Sequence, residues 1–239
     1  MDIRLVAGDV TAFAGDGLVV NLFEGTGARS KSARRGAARD GWPLGGATAA
    51  VDAALGGAVT ALIRSGEATG KWGEQTLIHS LGRLRAARVL MIGLGKAEEL
   101  TLDRIRAAAG EAARALRKAG ARRIGSIVHG AGAGGFTAAQ ATQALVEGTL
   151  LGLYRFTRYK TTNDAGKAIE RVTIVERDRQ HLTAMTEAIR RGRILAEATN
   201  AARDLVNEPG NTLTPTELAR RARAMARAAR VRCEVLGPR

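Results

Sequence analysis

Two glycine-rich segments in this 239-residue chain could do chemistry through the backbone alone. Leu44-Gly45-Gly46-Ala47 precedes an alanine-rich stretch of helical period, and Gly130-Ala131-Gly132-Ala133-Gly134-Gly135-Phe136 follows a β-branched run. Backbone N–H groups exposed at a helix start converge on phosphate oxygens, and glycine lets a phosphate come close. Such turns are also needed merely to reverse the chain between strand and helix, and inherited scaffold is the stronger of the two readings. Other chemistries find less support. Gly93-Leu94-Gly95-Lys96 lacks the third glycine of a dinucleotide fingerprint, and no Walker A spacing occurs, so nucleotide hydrolysis is not expected. His79, His129 and His181 fall in different elements, whereas a metal site needs converging ligands; each reads as structural or surface. Cys233, the one cysteine, has no base beside it and reads as a small apolar strand residue; alone it excludes an internal disulfide and a multi-cysteine zinc site.

The elements that must position these segments alternate between short β-branched runs and long alanine- and leucine-rich stretches, which predicts an α/β sandwich with a parallel or mixed sheet. Residues 3–7, 17–23, 75–79, 88–92, 123–128 and 171–175 read as strands, several apolar enough to be covered on both faces. Residues 47–64, 102–119 and 138–154 read as helices, with Thr101 and Thr137 as N-caps and Gln140 completing a capping box. A connector helix is expected over 179–205, burying one stripe of Leu182, Met185, Ile189, Ile194, Leu195 and Ala198. Asn207-Glu208-Pro209-Gly210-Asn211 turns the chain, and Thr214-Pro215-Thr216-Glu217 opens a helix running to residue 229. Residues 231–236 alternate like a strand. A helix and one strand cannot form a domain, so these last pieces are expected to need a partner surface.

Composition bounds the partners. Hydrophobic residues make up 45% of the chain and no polar tract is long, which argues against intrinsic disorder. The N-terminus lacks a cationic segment leading into an apolar one, and no run is long enough to span a bilayer, so a cytoplasmic protein with no membrane partner is expected. The formal charge of +14 would attract phosphates, and arginine supplies 31 of the 37 cations. The excesses lie at 29–39 and 220–239 and read first as solvated loop and helix faces, with nucleic-acid or acidic-partner binding as the alternative. Aromatics are only 3%, so no stacking platform accompanies the charge.

The stretch Asp204-Leu205-Val206-Asn207-Glu208-Pro209-Gly210-Asn211-Thr212-Leu213-Thr214-Pro215 closely resembles the junction between the two domains of leucyl aminopeptidases. Val146-Glu147-Gly148-Thr149-Leu150-Leu151-Gly152 with Arg158-Tyr159-Lys160, Val89 through Lys96, and Leu55-Gly56-Gly57-Ala58 resemble the same family, in family order. The resemblance implies a macro-type α/β/α sandwich over 1–177, a connector helix over 178–206, and the start of a catalytic domain over 207–239. It further implies that two divalent metals, zinc or manganese, belong to the family's catalytic domain and that no cofactor belongs to this chain. The chain would then be an inactive scaffold or regulatory domain, a homo-oligomer or the partner of a separate catalytic chain. Asn163-Asp164-Ala165-Gly166-Lys167 faintly resembles the family's metal-binding box but lacks its glutamate, and is read as a loop. The Gly/Ser/Arg-rich insertion at 25–41 departs from the family and reads as tolerated surface.

Gly8-Asp9-Val10-Thr11, followed by Leu18-Val19-Val20-Asn21, is similar to the opening of ADP-ribose-binding macro domains. The likeness implies that Asp9 receives an adenine amino group, that Asn21 lies near the distal ribose, and that Gly45, Gly46, Gly132, Gly134 and Gly135 line two phosphate loops. A second asparagine is missing, because Leu22-Phe23-Glu24 follows Asn21, and Asp9 can equally cap a turn.

Overall fold

The computed structural model describes residues 1–26, 44–130, 135–161 and 168–237. The insertion at 25–41, Gly132, Gly134 and the box at 163–167 therefore lie wholly or largely outside the described residues. Six strands form one sheet: β1 (Asp2–Ala7), β2 (Gly17–Leu22), β3 (Gln75–His79), β4 (Arg88–Gly93), β5 (Arg123–Ser126) and β6 (Arg171–Glu176). Their spatial order is β1-β6-β5-β2-β4-β3, all neighbours parallel except the antiparallel edge pair β3 and β4. The α/β class and the mixed, mostly parallel sheet agree with the expectation from sequence.

Alternation along the strands feeds two cores. Leu18, Val20 and Leu22 of β2 with Val89 and Met91 of β4 point to one face. There they meet Val51, Leu55 and Val59 from helices α1 (Gly46–Ala54) and α2 (Ala58–Ser65). Val19, Leu90, Ile92, Ile124, Val172 and Ile174 point to the other, against α3 (Leu102–Lys118), α4 (Ala138–Gly152) and the first turns of α5 (Leu182–Asn207). Helices thus lie on both faces, as buried parallel strands require. The caps expected for α3 and α4 are present: Thr101 accepts from the N–H of Arg104, and Thr137 and Gln140 form the reciprocal box.

Three expectations are corrected. The helix expected over 47–64 is two helices bent by 104°. Gly56 and Gly57 take φ of 70° and 84° between them, a left-handed turn that side chains oppose. Asp52 of α1 fixes the corner: its carboxylate accepts from the N–H of Thr60 at 3.0 Å and from its hydroxyl at 2.5 Å, capping α2 from the preceding helix. Second, α5 buries Met185, Ala188, Ile189, Gly192 and Ala196, while Ile194 and Leu195 are half exposed. Small residues make the seam because α5 lies close on α4; a Cβ on Gly192 would meet Gln143 O at 3.0 Å. Third, residues 231–236 form no strand, and Cys233 is exposed. Alternation alone does not make a strand when no neighbouring backbone offers hydrogen bonds.

The chain divides into two compact units, Met1–Glu197 and Ala198–Arg239. Within the second, α6 (Pro215–Ala229) starts as its sequence dictates: Thr214 accepts from the N–H of Glu217, and proline occupies the first turn. Glu208, its carboxylate fully buried, accepts from Arg221 at 3.1 Å and ties the turn after α5 to α6.

Candidate functional site: the carboxyl edge of the sheet

In an open α/β sheet, ligands bind beyond the carboxyl ends of parallel strands, where neighbouring connections leave to opposite faces. β2 and β5 are such neighbours. The chain leaving β2 enters α1 on one face, and the chain leaving β5 leads to α4 on the other. Leu44-Gly45-Gly46 leads into α1 and Gly130 follows β5, so the described parts of the two glycine segments belong to connections leaving neighbouring strands.

The first side is well built. Gly45 is the N-cap residue of α1 and offers no side-chain bond of its own. The hydroxyl of Thr48 donates to the carbonyl of Asn21 at 3.0 Å and fastens the first turn of α1 to the end of β2. Among the described residues a Cβ on Gly45 or Gly46 would meet nothing within 4 Å, so packing does not demand glycine at either position. On the second side, Gly130 and Gly135 take φ of 70° and 74°, which favour glycine; a Cβ on Gly130 would also crowd Leu100 Cδ2 at 2.5 Å, and one on Gly135 would meet nothing among the described residues. Asp9 lies at the carboxyl end of β1, separated from β2 by β6 and β5. Its Oδ1 accepts from both the N–H and the hydroxyl of Thr11 at 2.8 Å. Those two bonds, with the charge of Arg177, hold its carboxyl below the usual range. Asp9 therefore caps the short turn Val10–Ala12, as the plainer reading has it, and keeps Oδ2 clear of those bonds.

The three histidines do not share an element: His79 is on β3, His129 follows β5, and His181 ends the turn before α5. Among the described residues no three His, Cys, Asp or Glu side chains come together as a metal ion requires. His129 is buried, its pKa pushed down to about 4 by that burial, with Nδ1 unpartnered and Nε2 3.4 Å from Ser126 Oγ. Several arginines are neutralised along their own helix: Glu187 bridges Arg190 and Arg191, and Glu217 bridges Arg220 and Arg221. Both carboxyls are held down at about 2 by those arginine hydrogen bonds.

The profile described as the cytosol aminopeptidase family, N-terminal domain, matches residues 38–163. The chain belongs to the cytosol aminopeptidase family. A probable cytosol aminopeptidase of Alkaliphilus metalliredigens is 37% identical over 195 residues, covering 81% of this chain and 39% of that protein. One from Solibacter usitatus is 41% identical over 175 residues, covering 73% and 35%. Among solved structures, the bottromycin maturation enzyme BotP in complex with Mn is similar at a TM-score of 0.63 and 28% identity, over 90% of this chain and 37% of that one. A tomato leucine aminopeptidase shares the fold at a TM-score of 0.74 and 20% identity, over 95% and 42%. The chain thus spans about two fifths of the length of the relatives it matches.

The segments that carry the family likeness have structural work in this domain. Leu55-Gly56-Gly57-Ala58 is the α1–α2 corner. Gly148 lets α4 press onto α3, since a Cβ there would stand 2.6 Å from Arg106 C. Beside it Glu147, nearly buried, accepts from Arg106 Nε at 2.5 Å and from Gln143 Nε2 at 2.7 Å. No helix among the described residues is by itself long and apolar enough to cross a membrane. Sequence reasoning missed a groove on the β1-β6-β5 face, lined by Phe13, Arg123, Arg171 and Thr173. Phe13, Arg123 and β6, which carries Arg171 and Thr173, are far apart in sequence, and only the strand register brings them together.

Proposed function

We propose that this chain works as a non-catalytic scaffold or regulatory domain of a metal-dependent aminopeptidase. The match of residues 38–163 to the family's N-terminal domain carries the reading. The hydrolysis named in its relatives then belongs to an assembly, either of copies of this chain's full-length protein or with a separate catalytic chain. Residues 1–177 act as a macro-type domain, 178–206 as the connector helix, and 207–239 as the start of the next domain. The two divalent metals, zinc or manganese, are assigned to the family's catalytic domain and to no residue of this chain. The test is turnover of leucine p-nitroanilide by the purified chain with manganese or zinc, beside its mass by light scattering and capture of a catalytic chain. No turnover, with self-association or capture, is the expected result. Hydrolysis that tracks the pure protein, or a monomer that captures nothing, refutes the reading.

Gly45, Gly46 and Gly135, where a Cβ would meet nothing among the described residues, lie on connections from neighbouring parallel strands and favour a second reading, a macro-type module for ADP-ribose or a related nucleotide. Asp9, Asn21, Gly132 and Gly134 would complete that site. Calorimetry with ADP-ribose decides it: saturable heat that Asp9→Ala abolishes supports the module, and no heat removes it.

A further inference from the structure

On the face that α1 and α2 cover over β2 and β4, no helix among the described residues of the first unit packs on β1, β6 and β5. A cavity of about 310 Å³ opens there, within the size range of small-ligand sites. Its floor is Val6, Thr173 and Val175, with Val6 45% exposed although it pairs with Val175 in the sheet. Phe13 forms one wall and lies against bare backbone: a Cβ on Gly125 of β5 would meet its ring at 2.7 Å. At one end, the register sets Arg123 of β5 directly beside Arg171 of β6. Two like charges abreast on neighbouring strands repel. Arg171 is partly compensated through Nε, which donates to Asp2 at 3.0 Å. Among the described residues no carboxylate lies within ion-pair distance of the Arg123 guanidinium; Asp16, which accepts from its backbone N–H at 2.7 Å, offsets its charge in part, and Arg123 lines the cavity.

We propose that this groove binds a small organic anion with a flat or branched apolar body. The anionic group is taken by the Arg123 and Arg171 guanidiniums, whose forked donors match a carboxylate or a phosphate, and the body lies on Val6, Val175 and the Phe13 ring. The anion relieves the repulsion between the two arginines, and its body covers apolar surface that the fold leaves wet. Asp9, which the ADP-ribose reading also uses, lines the cavity beyond the carboxyl end of β1, at the end away from the arginines, and the anion does not engage it.

The experiment is a titration of the isotope-labelled full chain, following the methyl resonances of Val6 and Val175. Benzoate and phenyl phosphate are the probes; benzylamine and inorganic phosphate are the controls. Saturable shifts with one or both aromatic anions, and none with benzylamine, are expected, and the stronger of the two anions identifies the charged group. Arg123→Gln should weaken binding about tenfold or more, the loss of one charge-assisted contact. Arg123→Lys should recover part of it. Equal shifts from benzylamine, binding unchanged in Arg123→Gln, equal response to inorganic phosphate, or no saturable shift with either anion would each overturn the proposal.

Discussion

Replacing Gly148 with alanine should destabilise the first compact unit by about 2 kcal/mol, although alanine is the better helix former. A Cβ at this position would stand 2.6 Å from Arg106 C, with the carbonyl oxygen nearer still. Carbon atoms in contact prefer about 3.5 Å or more, so α3 and α4 must part by about 1 Å. The obstacle is backbone, which no rotamer change relieves, so the cost lies at the upper end of the roughly 1–3 kcal/mol for overpacking. Against it stands a gain of about 1 kcal/mol from helix propensity. Gly192→Ala is the internal comparison, because there the nearest atoms are Gln143 O at 3.0 Å and Val146 Cβ at 3.1 Å. That overlap needs only a few tenths of an ångström, and its cost roughly cancels the propensity gain. Thermal melts followed by far-ultraviolet circular dichroism should place Gly148→Ala about 4–8 °C below the parent. Gly192→Ala should melt close to the parent. A Gly148→Ala protein melting at or above the parent would refute the close-packing account of the α3–α4 seam.

Three further outcomes follow from the same contacts. His129 is neutral when folded, with its pKa at about 4 against an ordinary 6.5, so the unfolded chain takes the proton first. Stability should therefore be full above about pH 6.5 and fall by about 3 kcal/mol as pH drops towards 4; His129→Leu should flatten that window in urea titrations, and an unchanged slope would count against it. Glu147→Ala should cost about 2 kcal/mol by removing a nearly buried acceptor from Arg106 and Gln143, read as a lower urea midpoint with unchanged slope. Thr137→Ala removes the hydroxyl half of the α4 capping box, leaving its backbone N–H to donate to Gln140, and should cost about 1 kcal/mol, seen first as faster amide exchange in the opening turn of α4.

How much of this was legible depends on whether the signal is local. Buried parallel strands need β-branched residues on both faces, so β2 and β4 announce themselves, and all six strands appear near their expected bounds. The caps of α3, α4 and α6 are local chemistry and were legible for the same reason. The α1–α2 corner was not, because apolar periodicity continues across Gly56 and Gly57, and the capping of Thr60 by Asp52 is invisible without the bend. On α5, counting large apolar residues selected Ile194 and Leu195. The seam instead uses Gly192 and Ala196, because close approach to α4 rewards small side chains. Of the candidate site, the sequence located both glycine segments but not their relation, which needs the strand order.

That strand order also explains why the β1-β6-β5 face lies open. A parallel crossover ordinarily takes a dozen or more residues and carries a helix that covers the sheet. Here β1 ends at Ala7 and β2 begins at Gly17, and the link between these parallel strands passes two others with only the short turn Val10–Ala12 inside it. No helix fits in that length. The link instead supplies Phe13, whose ring finds room because Gly125 has no side chain, and Asp9, whose carboxylate closes the turn. One economy of chain length thus produces both features at this edge of the sheet: a capped acidic turn at the carboxyl end of β1, and an apolar floor beside two neighbouring arginines at the start of β5 and β6.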